Sequence, residues 1–252
     1  MIREPQTAAN SREPLILAEP DYPEWGFAEI FAGVALFFPA IWVGVSGVTA
    51  ATAALHLRLP QGVLSVLGEI AGYLLLFGAL FVIFAVNHEK PLLQSLGWTK
   101  HGFAVSNLAV AGLGLAVFVM IFTALILRTP NQDTPFQKLL SDPATRIAVC
   151  LFGVTLGPIA EELLFRGFLQ PVMMRVAGVL PGILITAAVF GGMHLSQYGG
   201  QWQAGLGIMI VGLVLGIVRH LTGSTRASAA VHIAYNSVLF LLMLAAGDPA
   251  KK

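Results

Sequence analysis

Charge is scarce in this 252-residue chain: Asp, Glu, Lys and Arg together supply 11% of the residues, while 56% are hydrophobic. Soluble domains carry about 25% charged residues, so a water-facing globular body is excluded, and the mean hydropathy of +0.80 agrees. Basic clusters are lacking too. With a net charge of +1 and no run of Lys or Arg able to follow a phosphate backbone, nucleic acid is set aside as a partner. Cysteine is nearly absent. The lone Cys150 rules out an internal disulfide, a thiolate cluster and a CxxC redox pair, and its apolar setting reads as a small buried hydrophobe. The sequence has no HExxH, the usual zinc-protease helix, no GxSxG, and no serine placed for a Ser/His dyad.

What the chain does have is long apolar runs. Judged by roughly 20 apolar residues per bilayer span, they recur at 27–50, 63–86, 103–127, 147–168, 181–195, 203–221 and 228–246. The pattern predicts an all-α polytopic transmembrane bundle of about seven helices, the fifth of them short. Residues 1–25, with four prolines and five acids and no basic start leading into an apolar core, read as a polar disordered tail, not a leader. The expected organisation is this tail, a first set of membrane helices over 26–144, a second helical region over 145–246 and a short tail at 247–252.

Polar groups at membrane depth are costly, roughly 2.5–3.5 kcal/mol for a charge at a helix centre, so they are expected to cluster where function needs them. Glu29 lies near the start of its run and suits an interfacial role; Glu69, two turns into the second run, suits a structural hydrogen bond. The segment GPIAEELLFRGFLQ, residues 157–170, is different. Glu161 and Glu162 point about 100° apart on a helix, and Arg166 lies one turn beyond Glu162 on its face. Glu162 and Arg166 are expected to pair, leaving Glu161 as the free acid. Pro158 either kinks a long helix or sits in the first turn of a new one capped near Gly157. Later come FGGMH, Phe190 to His194, and HIAYN, in which His232 and Asn236 share a helix face and could aim two donors at one point. Gly212 and Gly216 form a GxxxG that lets helices approach closely within the fold.

These motifs, in this order and each in a hydrophobic segment, resemble those of the CAAX protease and bacteriocin-processing family of intramembrane endopeptidases. The resemblance covers about residues 145–245, and SLGW at 95–98 is similar to a short element often found upstream. It implies a glutamate-dependent peptidase working in a cavity among the helices of a multi-pass protein in a prokaryotic cell membrane. Its substrate would be a protein or peptide, membrane-anchored or free. Carried over residue by residue, Glu161 would activate water with His194 as partner, His232 and Asn236 would stabilise the oxyanion, and Glu162 and Arg166 would support them. No cofactor is expected. The alternative keeps the residues and adds zinc held by Glu161, His194 and His232. Two further readings are a catalytically silent immunity or scaffold protein, and a proton or cation transporter using the same polar groups.

Overall fold

The structure is a computed structural model that describes residues 22–129 and 134–245. Among these residues every regular element is helical, as expected where lipid leaves no partner for an unpaired backbone group. In chain order the helices are α1 (Phe27–Ala54), α2 (Gln61–Asn87), the short α3 (Leu92–Ser95), α4 (Val105–Ile121), α5 (Pro135–Leu139), α6 (Pro143–Gly153) and α7 (Leu156–Glu162). They continue with α8 (Gln170–Ala177), α9 (Val179–Met193), α10 (Trp202–Thr222) and α11 (Thr225–Ala245). A π-helical segment extends α4 over Phe122–Ile126, and a second, Leu163–Leu169, joins α7 to α8.

Among the described residues five helices are long and apolar enough to cross a bilayer: α1, α2, α4 with its π extension, α10 and α11. The two other expected spans take a different form. The run at 147–168 is bent by 43° between α6 and α7, so α6 through α8 makes at most one broken span. Pro158 accounts for part of this, because α7 begins at Leu156 and the proline sits in its first turn. Thr155, not Gly157, is the residue before that turn. The run at 181–195 becomes α9, whose 15 residues reach about 22 Å at 1.5 Å per residue, short of the ~30 Å hydrocarbon core.

Most of the expected tail lies outside the described residues, but its last part, from Tyr22 on, is packed. Trp25 is 1% exposed and its indole Nε1 donates to the carbonyl of Phe168 at 2.9 Å. Glu24 pairs with Lys90 at 2.9 Å, and Arg175 donates to the carbonyls of Pro23 and Trp25. A single buried tryptophan is enough to anchor a polar segment, which composition averaged over 25 residues conceals.

Glycine sets how closely the helices pack. A Cβ on Gly44 of α1 would collide with the backbone of Gly68 and Gly72 on α2, and Gly112 of α4 lies against the carbonyl of Val231 on α11. Gly212 and Gly216 bring α10 against Ala187 and Ile183 of α9, as their spacing predicts. Cys150 is buried, also as expected. Large apolar side chains such as Phe31, Trp42, Leu74, Val86 and Leu221 point outward, where lipid is their natural solvent.

The SLGW element has a definite place. Thr225 at the start of α11 donates its amide to the carbonyl of Gly97 at 2.8 Å and its hydroxyl to that of Leu96 at 2.6 Å, while Ser224 donates to Thr99 at 2.7 Å. Gly97 has φ +70°, in the left-handed region that favours glycine. Arg219 packs against it and donates to Thr225 and to the Tyr22 hydroxyl. On the other side of this turn, Gly167 of the second π segment packs against Leu96. The element therefore ties the α10–α11 corner to the helix that carries the glutamates.

Candidate active site

Glu162 and Arg166 are both fully buried, and Arg166 Nη1 donates to Glu162 Oε1 at 2.8 Å. The guanidinium also donates to the carbonyl of Gly212 at 3.0 Å and lies 4.5 Å from the centre of the Phe190 ring. An ion pair this deep survives only when further hydrogen bonds offset its desolvation, and the carbonyl on α10 and the aromatic face on α9 supply that support. The pair expected from the i,i+4 spacing thus also joins three helices. His232 Nδ1 donates to the same Glu162 oxygen at 3.1 Å.

Glu161 points elsewhere, as its 100° offset requires. Its carboxylate is 3.7 Å from His232 Nε2 and 3.9 Å from His194 Nε2, and its side chain keeps 21% exposure. These gaps are too long for direct hydrogen bonds and are of the kind that a bridging water closes. Neighbours dictate the tautomer of both rings. His194 ends α9, and its Nδ1 donates to the carbonyl of Phe190, one turn back, at 2.8 Å; His232 Nδ1 is committed to Glu162. In the neutral imidazoles the proton is therefore on Nδ1, and both Nε2 lone pairs face Glu161.

Phe190 holds this arrangement together. Its ring is 1% exposed and lies 4.7 Å from His194, 5.9 Å from His232 and 5.0 Å from Phe165, the last two edge-on. Both histidines and the arginine therefore refer to one rigid aromatic plate.

A cavity of about 200 Å³ opens beside Glu161 and His194, lined also by Glu69, Tyr73, Phe165 and Gln197. It adjoins an apolar cavity of about 530 Å³ that includes Ile41, Trp42 and Val45; Phe37, Phe38 and Glu69 line both. Sequence reasoning gave Glu69 a structural hydrogen bond. Tyr73, one turn on, is the polar group beside its carboxyl, and both residues line the cavity that holds Glu161. The signal was an acid two turns into a span with a tyrosine at i+4.

Asn236 is one turn from His232, but its amide donates to the carbonyl of Gly153 at 2.7 Å. That carbonyl is free to accept because α6 ends there. The carboxylate and two imidazoles named as alternative zinc ligands do converge, but at separations wider than the roughly 3.3 Å between ligands of a tetrahedral zinc with ~2.0 Å bonds. Among the described residues no group of three or more His, Cys, Asp or Glu is arranged to hold a metal ion.

Residues 143–238 match the family model described as type II CAAX prenyl endopeptidase Rce1-like. No curated protein and no solved structure matches. The matched segment begins at α6 and ends within α11, so it holds every residue of the Glu161–Glu162–Arg166–His194–His232–Asn236 set.

Proposed function

We infer from the match of residues 143–238 that the chain is a member of the CAAX protease and bacteriocin-processing family of integral multi-pass membrane proteins. From that premise we propose that it is an intramembrane endopeptidase in which Glu161 activates the water that attacks a peptide bond. The observation that carries this reading is the convergence of the Glu161 carboxylate with two Nε2 atoms from α9 and α11, at 3.9 and 3.7 Å, beside a cavity.

The geometry suggests how the residues share the work. A water held between Glu161 and His194 gives one proton to the carboxylate while His194 Nε2 accepts the other hydrogen, leaving the oxygen lone pair aimed at the substrate carbonyl. The water oxygen bonds to the carbonyl carbon, and charge moves to the carbonyl oxygen. Asn236 spends one amide hydrogen on Gly153, which orients the group and leaves its second hydrogen for that oxyanion. His232, with Nδ1 given to Glu162, can donate from Nε2 only as the imidazolium. Glu162 and Arg166 make no contact with the reacting atoms in this scheme; they fix His232 and the helix. No step is routed through a metal.

The substrate is a protein or peptide presented at or in the membrane. The test is cleavage by the purified protein in liposomes of a panel of quenched fluorogenic peptides, with and without a prenylated cysteine, the products mapped by mass. The expected result is hydrolysis of one internal bond, lost in Glu161→Gln and in His194→Ala. Binding without cleavage across the panel would transfer the chain to the silent, scaffold reading.

A further inference from the structure

The residues assigned so far activate water and receive the oxyanion, but peptide hydrolysis also needs a proton on the departing nitrogen, because an amide anion is a very poor leaving group. Glu161, having taken the water's proton, is one source. The cavity contains another. Tyr73 and Glu69, one turn apart on α2, line the same cavity as Glu161 and His194. The i,i+4 spacing sets the Tyr73 hydroxyl beside the Glu69 carboxyl, close enough for the two to interact. The Tyr73 ring is held by aromatic neighbours: it stacks on Phe152 of α6 at 6.4 Å and 20° and meets Phe37 of α1 at 6.5 Å. It is 9% exposed, so the phenol is a buried, oriented donor.

Glu69 lies about two turns into α2, with Tyr73 one turn further on. A second carboxylate, Glu161, lines the same cavity. Two carboxyls that share a poorly solvated cavity do not both ionise readily, and such pairs divide into one base and one acid. A hydrogen bond between the two can run either way: a Glu69 carboxylate accepts from the phenol, whereas a Glu69 carboxylic acid donates to the phenol oxygen and frees the phenolic hydrogen for the cavity.

We propose that Tyr73 is the proton donor to the leaving nitrogen and that Glu69, acting through it, is the positioning residue that holds the phenol and restores its proton. The proposal rests on the endopeptidase reading above. In the step, the C–N bond of the tetrahedral intermediate breaks and its electron pair goes to nitrogen. Nitrogen takes the Tyr73 hydroxyl proton, and the Tyr73 oxygen takes the Glu69 proton. The products are the free amine and the new carboxyl group, with Glu69 ionised and Glu161 protonated. One proton passing back from Glu161 to Glu69, directly or through solvent, restores the starting state. No oxidant, reductant or further reactant is needed.

The experiment compares leaving groups. The best-cleaved peptide of the panel is made again with an ester in place of the scissile amide, since an alkoxide departs with far less help from an acid. Wild type, Tyr73→Phe, Glu69→Gln and Glu161→Gln are assayed on both in liposomes, each checked for monodispersity and melting temperature. The relay predicts that Tyr73→Phe and Glu69→Gln lose on the order of a hundredfold or more on the amide and stay within about threefold of wild type on the ester. Full amide activity in Tyr73→Phe would overturn the proposal, as would an equal loss on amide and ester, which would make the pair structural. Glu161→Gln keeps the two failures apart, because it should lose both substrates whether or not Tyr73 matters. Unimpaired cleavage by Glu161→Gln would bring down the endopeptidase reading, and the relay with it.

Discussion

At the scale of single residues, adjacent glutamates meet different surroundings because a helix turns 100° per residue. Glu162 is sealed with Arg166 and His232; Glu161 keeps partial exposure beside the cavity. Removing one partner of a buried pair strands the other charge, at a cost of about 3–5 kcal/mol. Arg166→Leu should therefore lower yield and melting temperature sharply, and Glu162→Gln should lower them less because the amide still accepts a hydrogen bond. A thermal melt in detergent checks both, and an Arg166→Leu protein as stable as wild type but slow would mean that Arg166 acts in the chemistry. Asn236→Ala should leave the melt within a few degrees and slow cleavage by about a hundredfold or more, in line with the loss of an oxyanion donor.

Much of this residue-level picture could be read in advance. The Glu162–Arg166 pair lies on one helix at i,i+4, where geometry leaves little choice. His194 and His232 come from different helices, and no spacing rule brings them to Glu161; motif order and family resemblance did that. The bond from Asn236 to Gly153 was hidden because its acceptor is a backbone carbonyl exposed by a helix end. Tyr73 was missed since it lies outside the motif-bearing half and resembles any aromatic on an apolar helix.

Among the elements, the glutamate-bearing helix is interrupted twice, by the bend before α7 and by the π segment that carries Arg166. The proline announced the first interruption. The second depends on tertiary contacts: Gly167 against Leu96, Trp25 on the Phe168 carbonyl, Arg166 on α10. Segments of this kind are common at functional sites, and here the SLGW turn braces it. Gly97→Ala should destabilise the protein by about 1–3 kcal/mol, since its backbone is left-handed and the Arg219 guanidinium fills the space a methyl would need. Equilibrium unfolding measures this, and an unchanged midpoint would show that the turn is not a brace. Gly68→Val is predicted to wedge α1 from α2 and to impair cleavage along with stability, because Phe37 and Phe38 on one helix and Glu69 and Tyr73 on the other wall the same cavity.

For the molecule as a whole, low charge and long apolar runs announced an all-α membrane bundle, and that class holds. The number of full spans was less legible. Hydropathy counts apolar residues without regard to direction, so a bent pair and a 15-residue helix both score as crossings. Packing against neighbours through glycine is what lets so short a helix as α9 sit in the bundle. The same whole-molecule view bears on metal dependence. In the proposed scheme the base, its oriented partner and the oxyanion donors are all side chains, so chelators are predicted to leave turnover unchanged. Loss of activity restored only by added zinc would favour Glu161, His194 and His232 as ligands instead.

The account stands or falls on the division between the neighbouring glutamates, and the most direct measurement is the single-turnover cleavage rate of Glu161→Gln in liposomes, taken with its melting temperature. The prediction is a rate at least a thousandfold below wild type, the scale of losing a general base together with its water, in a protein that melts within a few degrees of wild type. Cleavage at the wild-type rate by a folded Glu161→Gln would contradict it.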